Sequence, residues 1–268
     1  MTTNAYVPTS MSRRLIARMQ ATHDRRRISV FAGPPGIGKT TAINVLRCRH
    51  PREIAVIKIS RQNAKEVLTL KHVLESIRKL SSSSLEYVPT SIWELRKSVF
   101  VAVSEWAGAD PRTALKTSFD FSAAPPLTVI FDEAQNLSRQ SIESLRYWND
   151  HDLCYSPFPI GLIFVGNNEF SLSPSLSGES AISAAVADRA LYMETLDYGD
   201  LTDEDLTLVL QANGFEDREV VAVLLHAFGG QRAVRSLRRL MDLLDDLEAM
   251  SGGKLHTASD VREALQFV

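Results

Sequence analysis

Gly33-Pro34-Pro35-Gly36-Ile37-Gly38-Lys39-Thr40 sets glycines, a lysine and a hydroxyl residue in the pattern G-x-x-x-x-G-K-[ST]. That spacing suits phosphate. Glycines let successive backbone N–H groups turn inward and let the chain approach an anion closely. A helix starting at the end of the loop adds its positive N-terminal dipole. In such a loop Lys39 would contact the β- and γ-phosphates and the Thr40 hydroxyl would ligate Mg²⁺. The expected nucleotide-binding set is Gly33, Pro34, Pro35, Gly36, Ile37, Gly38, Lys39, Thr40 and Thr41. A second pair of reactive groups, Asp132-Glu133, closes the apolar run LTVIF. Adjacent carboxylates at a strand end also occur as solvated loop starts. Downstream of a phosphate loop they have a sharper use: Asp132 in the Mg²⁺ shell, and Glu133 orienting and deprotonating an attacking water.

Elements must hold these groups in place. Residues 12–23 carry apolar positions at helical spacing, followed by Arg25-Arg26-Arg27. Strands are expected at Ile28–Ala32, Ile54–Ile59, Leu127–Phe131, Ile160–Val165 and Leu191–Met193, from short β-branched runs. Helices are expected at Thr40–Arg47, Lys71–Leu80, Ile92–Trp106 and Ser138–His151, with loose stretches at 108–126 and 171–180. Strands alternating with helices imply a parallel sheet with helices on both faces. After Thr202 only helical patterns remain: Glu204–Ala212, Asp217–Ala227, Gln231–Met250 and Ala258–Gln266. The division expected is an N-terminal helical and basic segment (1–27), an α/β domain (28–197) and a small all-helical domain (198–268).

Bulk composition excludes little. With 44% hydrophobic and 23% charged residues, the 268-residue chain has the balance of an ordinary soluble globular protein. No run approaches the roughly 20 apolar residues of a bilayer span. The opening MTTNAYVPTSMSRR lacks an apolar signal core, so a cytoplasmic protein without a membrane partner is expected. Cys48 and Cys154 give neither a disulfide framework nor metal spacing, and read as small buried residues. The net charge of −2 neither announces a nucleic-acid partner nor excludes one, since local patches matter more than the sum.

Three further motifs follow the carboxylates in order. "LIFVGNNEF" ends a strand in Asn167-Asn168, "AAVADRALYMETL" places Arg189 before the last strand, and "FGGQRAVRSLRRLM" contains Gly229-x-x-Arg232. Together with the phosphate loop and Asp132-Glu133, these resemble the AAA+ ATPases over nearly the whole chain. The resemblance implies the AAA+ fold, a P-loop parallel sheet with a helical lid, and Mg²⁺-dependent hydrolysis of ATP. It implies a sensor role beside the attacking water for Asn167, with Asn168 in reserve. It makes Arg189 an arginine supplied in trans to a neighbour's nucleotide, and Arg232 a lid residue reaching the γ-phosphate. Lys39, Glu133, Asn167, Arg189 and Arg232 form the expected catalytic set. An Asn turn, an arginine capping a helix C-terminus and a charged helix face remain the plain readings of the last three.

Within that class, "GPPGIGKTTA", "FDEAQNLSRQSIESLRYWND" and "VGN" resemble the transposition ATPases of the MuB and TnsC type and their ExeA-like relatives, including the Leu145-Arg146 pair. This likeness implies a homo-oligomer, ring or filament, that assembles on duplex DNA without sequence preference and recruits or activates a transposase. The 27 residues before the first strand are too few for a separate DNA-binding domain of the kind some MuB proteins carry, so DNA contacts are expected of the AAA+ module. Candidates are Arg25, Arg26, Arg27, Arg61, Lys65 and Lys71, with Arg13, Arg14 and Lys58 nearby. Each alone could be a solvated charge; repeated around an assembly, weak contacts multiply. A nucleotide switch acting on a protein partner and a helicase-loader-type ATPase stay open.

Overall fold

The computed structural model describes residues 6–61, 65–81, 89–114, 123–150, 157–170, 181–228, 235–251 and 257–266. The chain divides into two compact units: Ile16–Gly33 with Ile43–Thr195, and Met1–Leu15 with Pro34–Ala42 and Leu196–Val268.

The first unit is built on a five-stranded sheet: β1 (Ile28–Ala32), β2 (Ile54–Lys58), β3 (Thr128–Asp132), β4 (Gly161–Gly166) and β5 (Ala190–Thr195). Their order is β2-β3-β4-β1-β5 and every pairing is parallel. β1, β3 and β4 are buried along their whole length, as expected of strands covered on both faces. Their sequences, ISVFA, TVIFD and GLIFVG, are correspondingly apolar runs rather than alternations. Register aligns Asp132 with Lys58 on one side and Val165 on the other. The groups expected to do chemistry therefore leave the sheet at its carboxyl edge, where ligands of open α/β sheets bind.

Helices α3 (Glu66–Ser81) and α4 (Ile92–Trp106) bury Leu70, Val73, Leu74 and Ile77, and Leu95, Val99 and Val103, in one core with Ile57, Val129, Phe131 and Phe164. The Phe131 and Phe164 rings stack at 5.2 Å. Ser91 caps α4 by accepting from the Glu94 N–H, as a serine before a helical run should. Trp148 lies within this core and Trp106 packs against it, whereas Trp93 is 71% exposed beneath the Lys97 ammonium. Helix α1 (Ser10–Asp24) precedes β1, and α2 (Lys39–Arg49) follows the glycine-rich loop.

The second unit contains α8 (Asp203–Ala212), α9 (Arg218–Phe228), α10 (Leu237–Ser251) and α11 (Ala258–Ala264). Leu206, Leu210, Leu224, Leu240, Leu247 and Val261 form its core. Thr202 and Thr257 open α8 and α11 with reciprocal capping boxes to Asp205 and Asp260. Asp205 also accepts from the Ser10 N–H and hydroxyl, each at 2.6 Å.

Several boundaries depart from expectation. Helix α6 (Arg139–Arg146) stops short of His151, because Trp148 and Asn149 turn back onto Leu145 and Arg146, and the Asn149 amide bonds Arg26 and Ile160 carbonyls. A short helix α5 (Pro111–Ala114) interrupts the stretch expected to be loose, and a further helix, α7 (Ala184–Arg189), precedes β5. Cys48 is exposed rather than buried, since it falls on the outer face of α2. Cys154 and residues 171–180 lie outside the described residues.

Candidate functional site: phosphate loop and carboxylate strand

The loop after β1 has the backbone its glycines were read to need. Gly36 and Gly38 take φ of +77° and +95°, left-handed conformations that cost other residues strain. Gly36 is doubly constrained: a Cβ there would stand 2.1 Å from the Ser236 hydroxyl, and its carbonyl accepts from the Leu237 N–H at 2.8 Å. The start of α10 is thus tied to the loop. Lys39 opens α2, and its ammonium donates to the Pro34 carbonyl at 2.7 Å, folding over the loop as a phosphate-facing lysine can. The residues fit a nucleotide's phosphates: a positive helix end, a lysine over the turn and glycines where side chains would intrude.

At the carboxyl edge of the sheet, Asp132 ends β3 nearly buried, and its carboxylate accepts from the Glu133 N–H at 3.0 Å. Ile59 donates to the Asp132 carbonyl at 2.8 Å. Glu133 has φ of +59°, which is uncommon for a residue with a Cβ and throws its side chain off the strand direction. What holds it is Gln135. The Gln135 Nε2 donates to Glu133 Oε2 at 2.6 Å, while Gln135 Oε1 accepts from the Asn167 N–H at 3.1 Å. One amide thereby joins the carboxylate expected to act as base to the start of the loop after β4. Asn136 extends the brace to β2, donating to the Ile59 carbonyl at 2.9 Å. Of the two asparagines, Asn167 is the one so tied; its own Oδ1 accepts from the Glu169 N–H at 2.9 Å, and Asn168 is exposed. Gly33 donates to the Gly166 carbonyl at 3.3 Å, so the start of the phosphate loop is registered to the same strand end.

Arg189 ends α7 and is engaged within its own unit. Its guanidinium meets Asp150 at 3.1 Å and the Ala185 carbonyl at 3.2 Å. Asp150 is shared with Arg146, which also bonds Glu143, and Glu143 accepts from the Ser183 hydroxyl. Burial disfavours the Glu143 carboxylate, but the Ser183 and Arg146 hydrogen bonds outweigh it and hold its pKa below the ordinary range. Gly229 and Arg232 lie outside the described residues. Arg235, a few residues on, bonds the Leu201 carbonyl and pairs with Asp203 at the start of α8.

The basic candidates separate by what they touch. Arg26 places its guanidinium on the Ala124 carbonyl and over the Phe158 ring at 4.9 Å, and burial lowers its pKa. Arg27 donates to the Arg189 carbonyl at 3.2 Å. Arg14 pairs with Asp200 and Arg13 bonds the Pro8 carbonyl. Arg25, Arg61 and Lys65 are exposed and Lys71 is half-buried on α3. Beside Lys65, a 450 Å³ cavity is lined by Glu66, Asn136, Ser138 and Ser141, next to the segment that carries Gln135.

The sequence profile of the AAA domain family matches residues 22–172. The chain belongs to the AAA domain family. Its solved neighbours share the AAA+ fold. Cdc6p from Pyrobaculum aerophilum is 15% identical, with a TM-score of 0.62 over 99% of this chain and 70% of that one. The Thermotoga maritima RuvB Holliday junction branch migration motor is 14% identical, with a TM-score of 0.51 over 97% and 70%. A chain of Drosophila ORC bound to DNA is 16% identical, with a TM-score of 0.51 over 98% of this chain and 62% of that one. At these identities the likeness speaks for the AAA+ fold and not for a shared task. No curated protein matches the sequence. Among the described residues no helix is long and apolar enough to cross a membrane.

Gln135 is the site residue that sequence reasoning missed. Its signal was present in DEAQ, two positions after the glutamate, but its meaning depends on β4 lying beside β3.

Proposed function

We propose that this AAA+ protein hydrolyses ATP with Mg²⁺ and uses the bound nucleotide to assemble on duplex DNA, where it regulates transposition by selecting a target and recruiting or activating a transposase. The observation that carries the hydrolytic part is the Gln135 amide that positions Glu133 against the Asn167 loop. A carboxylate merely solvated at a strand end needs no such brace. In this reading the loop glycines and Lys39 bind the phosphates, Thr40 and Asp132 hold Mg²⁺, and Glu133 takes the proton of the attacking water. The metal supplies charge neutralisation on the phosphate oxygens. Asn167 orients the water, Arg232 reaches the γ-phosphate, and Arg189 completes a neighbouring subunit's site.

The DNA part draws support from exposed Arg25, Arg61 and Lys65. Contacts of this kind bind phosphates without reading bases and weaken steeply with salt. Cytoplasmic residence follows from that work. The test is an electrophoretic mobility shift of duplex DNA with ATP, ADP and no nucleotide, for the wild type and for Arg61→Ala/Lys65→Ala. A shift that needs ATP, falls with salt and weakens in the double variant supports the reading. A preference for single strands would replace it with a helicase-loader role. No shift at any concentration would favour a nucleotide switch acting on a protein.

A further inference from the structure

At the opposite, amino-terminal edge of the sheet lies a cluster that the nucleotide chemistry does not use. His23 closes α1, His50 directly follows α2, and Glu53 leads into β2. Glu53 Oε2 stands 3.0 Å from His23 Nε2 and 3.0 Å from His50 Nδ1, and all three ligand atoms lie within 4.8 Å of one another. The two rings approach to 4.6 Å between centroids. His23 is fully buried; His50 and Glu53 are partly open to solvent.

The outward nitrogens are also fixed. Gln20 Nε2 donates to Asp24 Oδ1 at 2.8 Å, which turns Gln20 Oε1 toward His50 Nε2 at 2.9 Å. An amide oxygen only accepts, so His50 carries its proton on Nε2. In the neutral ring, Nδ1 is then a lone pair aimed at a carboxylate oxygen, and two acceptors at hydrogen-bond distance require a positive centre there: an added proton or a cation. His23 Nδ1 meets the Thr128 hydroxyl at 2.9 Å. That hydroxyl occupies space left by Gly161, where a Cβ would stand 2.4 Å from it. The Gln20 amide oxygen holds the far nitrogen of His50 as proteins hold oriented histidine ligands, and the Thr128 hydroxyl is able to accept from His23 Nδ1 in the same way.

We infer that His23, His50 and Glu53 form a binding site for a divalent transition ion of the zinc class, with a fourth position open to water. Two imidazoles and one carboxylate suit zinc and disfavour Mg²⁺, which takes oxygen ligands. Tetrahedral bonds of about 2.0–2.2 Å set ligand atoms roughly 3.3–3.6 Å apart, so Glu53 Oε2 moves slightly away from both nitrogens while the two nitrogens, within 4.8 Å of each other, draw together. A bound ion would fasten the end of α1 to the end of α2 at the start of β2. The inference is independent of the DNA and transposition reading.

Full-length protein stripped with chelator and dialysed is titrated with Zn²⁺ by calorimetry in excess Mg²⁺, and with Co²⁺ by visible absorption. One equivalent of Zn²⁺ is expected, undisturbed by Mg²⁺, with a Co²⁺ spectrum of low-coordinate type. His50→Ala and Glu53→Gln, at partly exposed positions, should each weaken Zn²⁺ binding at least about 100-fold, and Gln20→Ala about tenfold through lost orientation. Circular dichroism confirms that each variant is folded. Cys48→Ser, at the exposed thiol two residues from His50, should bind as the wild type does. No uptake by the wild type, equal uptake by His50→Ala, or loss of binding in Cys48→Ser would overturn the assignment.

Discussion

In the proposed mechanism Glu133 and Gln135 divide the work of one catalytic group, the first supplying the proton acceptor and the second, through its hydrogen bond, aiming it. Glu133→Gln should bind ATP with near wild-type affinity yet release phosphate at least about 100-fold more slowly, as loss of a general base does. Nucleotide-binding fluorescence and a phosphate-release assay separate the two effects; wild-type turnover would remove Glu133 from the mechanism. Gln135→Ala leaves the carboxylate in place without its brace. It should lower kcat while leaving ATP affinity within about twofold, a split that a merely destabilised loop would not produce. At this scale the sequence was readable wherever chemistry is written locally. Lys39 and Thr40 follow a glycine pattern, and Asp132-Glu133 closes an apolar run. Gln135, and the His23–His50–Glu53 group, depend on strands and helix ends that meet only after folding. No spacing rule could announce them.

Between elements, α6 and α7 are joined by Ser183, Glu143, Arg146 and Asp150 rather than by apolar contact alone. The Glu143 carboxyl loses its proton more readily in the folded chain than in the unfolded one. Its contribution to stability is therefore complete above the ordinary carboxylate range near pH 4.3 and is lost as pH falls through the lower folded value. Thermal unfolding followed from neutral to acid pH should show Glu143→Gln less sensitive than the wild type to the last part of that acidification. Strands were easier to foresee than these helices. β1, β3 and β4 are continuous buried runs, whereas α7 is six residues without an apolar period and starts from the Ser183 cap. Helix α6 was overrun because Tyr147 and Trp148 continue its apolar spacing, although Asn149 diverts the chain by binding two distant carbonyls.

At the scale of the whole molecule, the proposed role in trans turns on Arg189. Its partner Asp150 must release it, and Arg146, which pairs with the same carboxylate, stays behind to compensate that charge. Arg189→Ala should leave nucleotide binding by the isolated chain intact and reduce oligomer-dependent hydrolysis. Lys39→Ala should bind no nucleotide. Mixing the two variants should restore part of the activity, because an intact loop on one subunit then meets an intact arginine on the other. Steady-state hydrolysis across mixing ratios reads this out, and a strictly flat line at the level of the separate variants would count against exchange between subunits.

The left-handed backbone at Glu133 carries an implication for how sequence can drift at this position. Asparagine tolerates that conformation better than glutamate does, so Glu133→Asn relaxes the main chain while removing the base. Melting temperature should rise as turnover collapses, and calorimetry beside a hydrolysis assay would show the two moving in opposite directions. On the proposed mechanism, a chain that keeps glutamate there forgoes some durability for the sake of its chemistry.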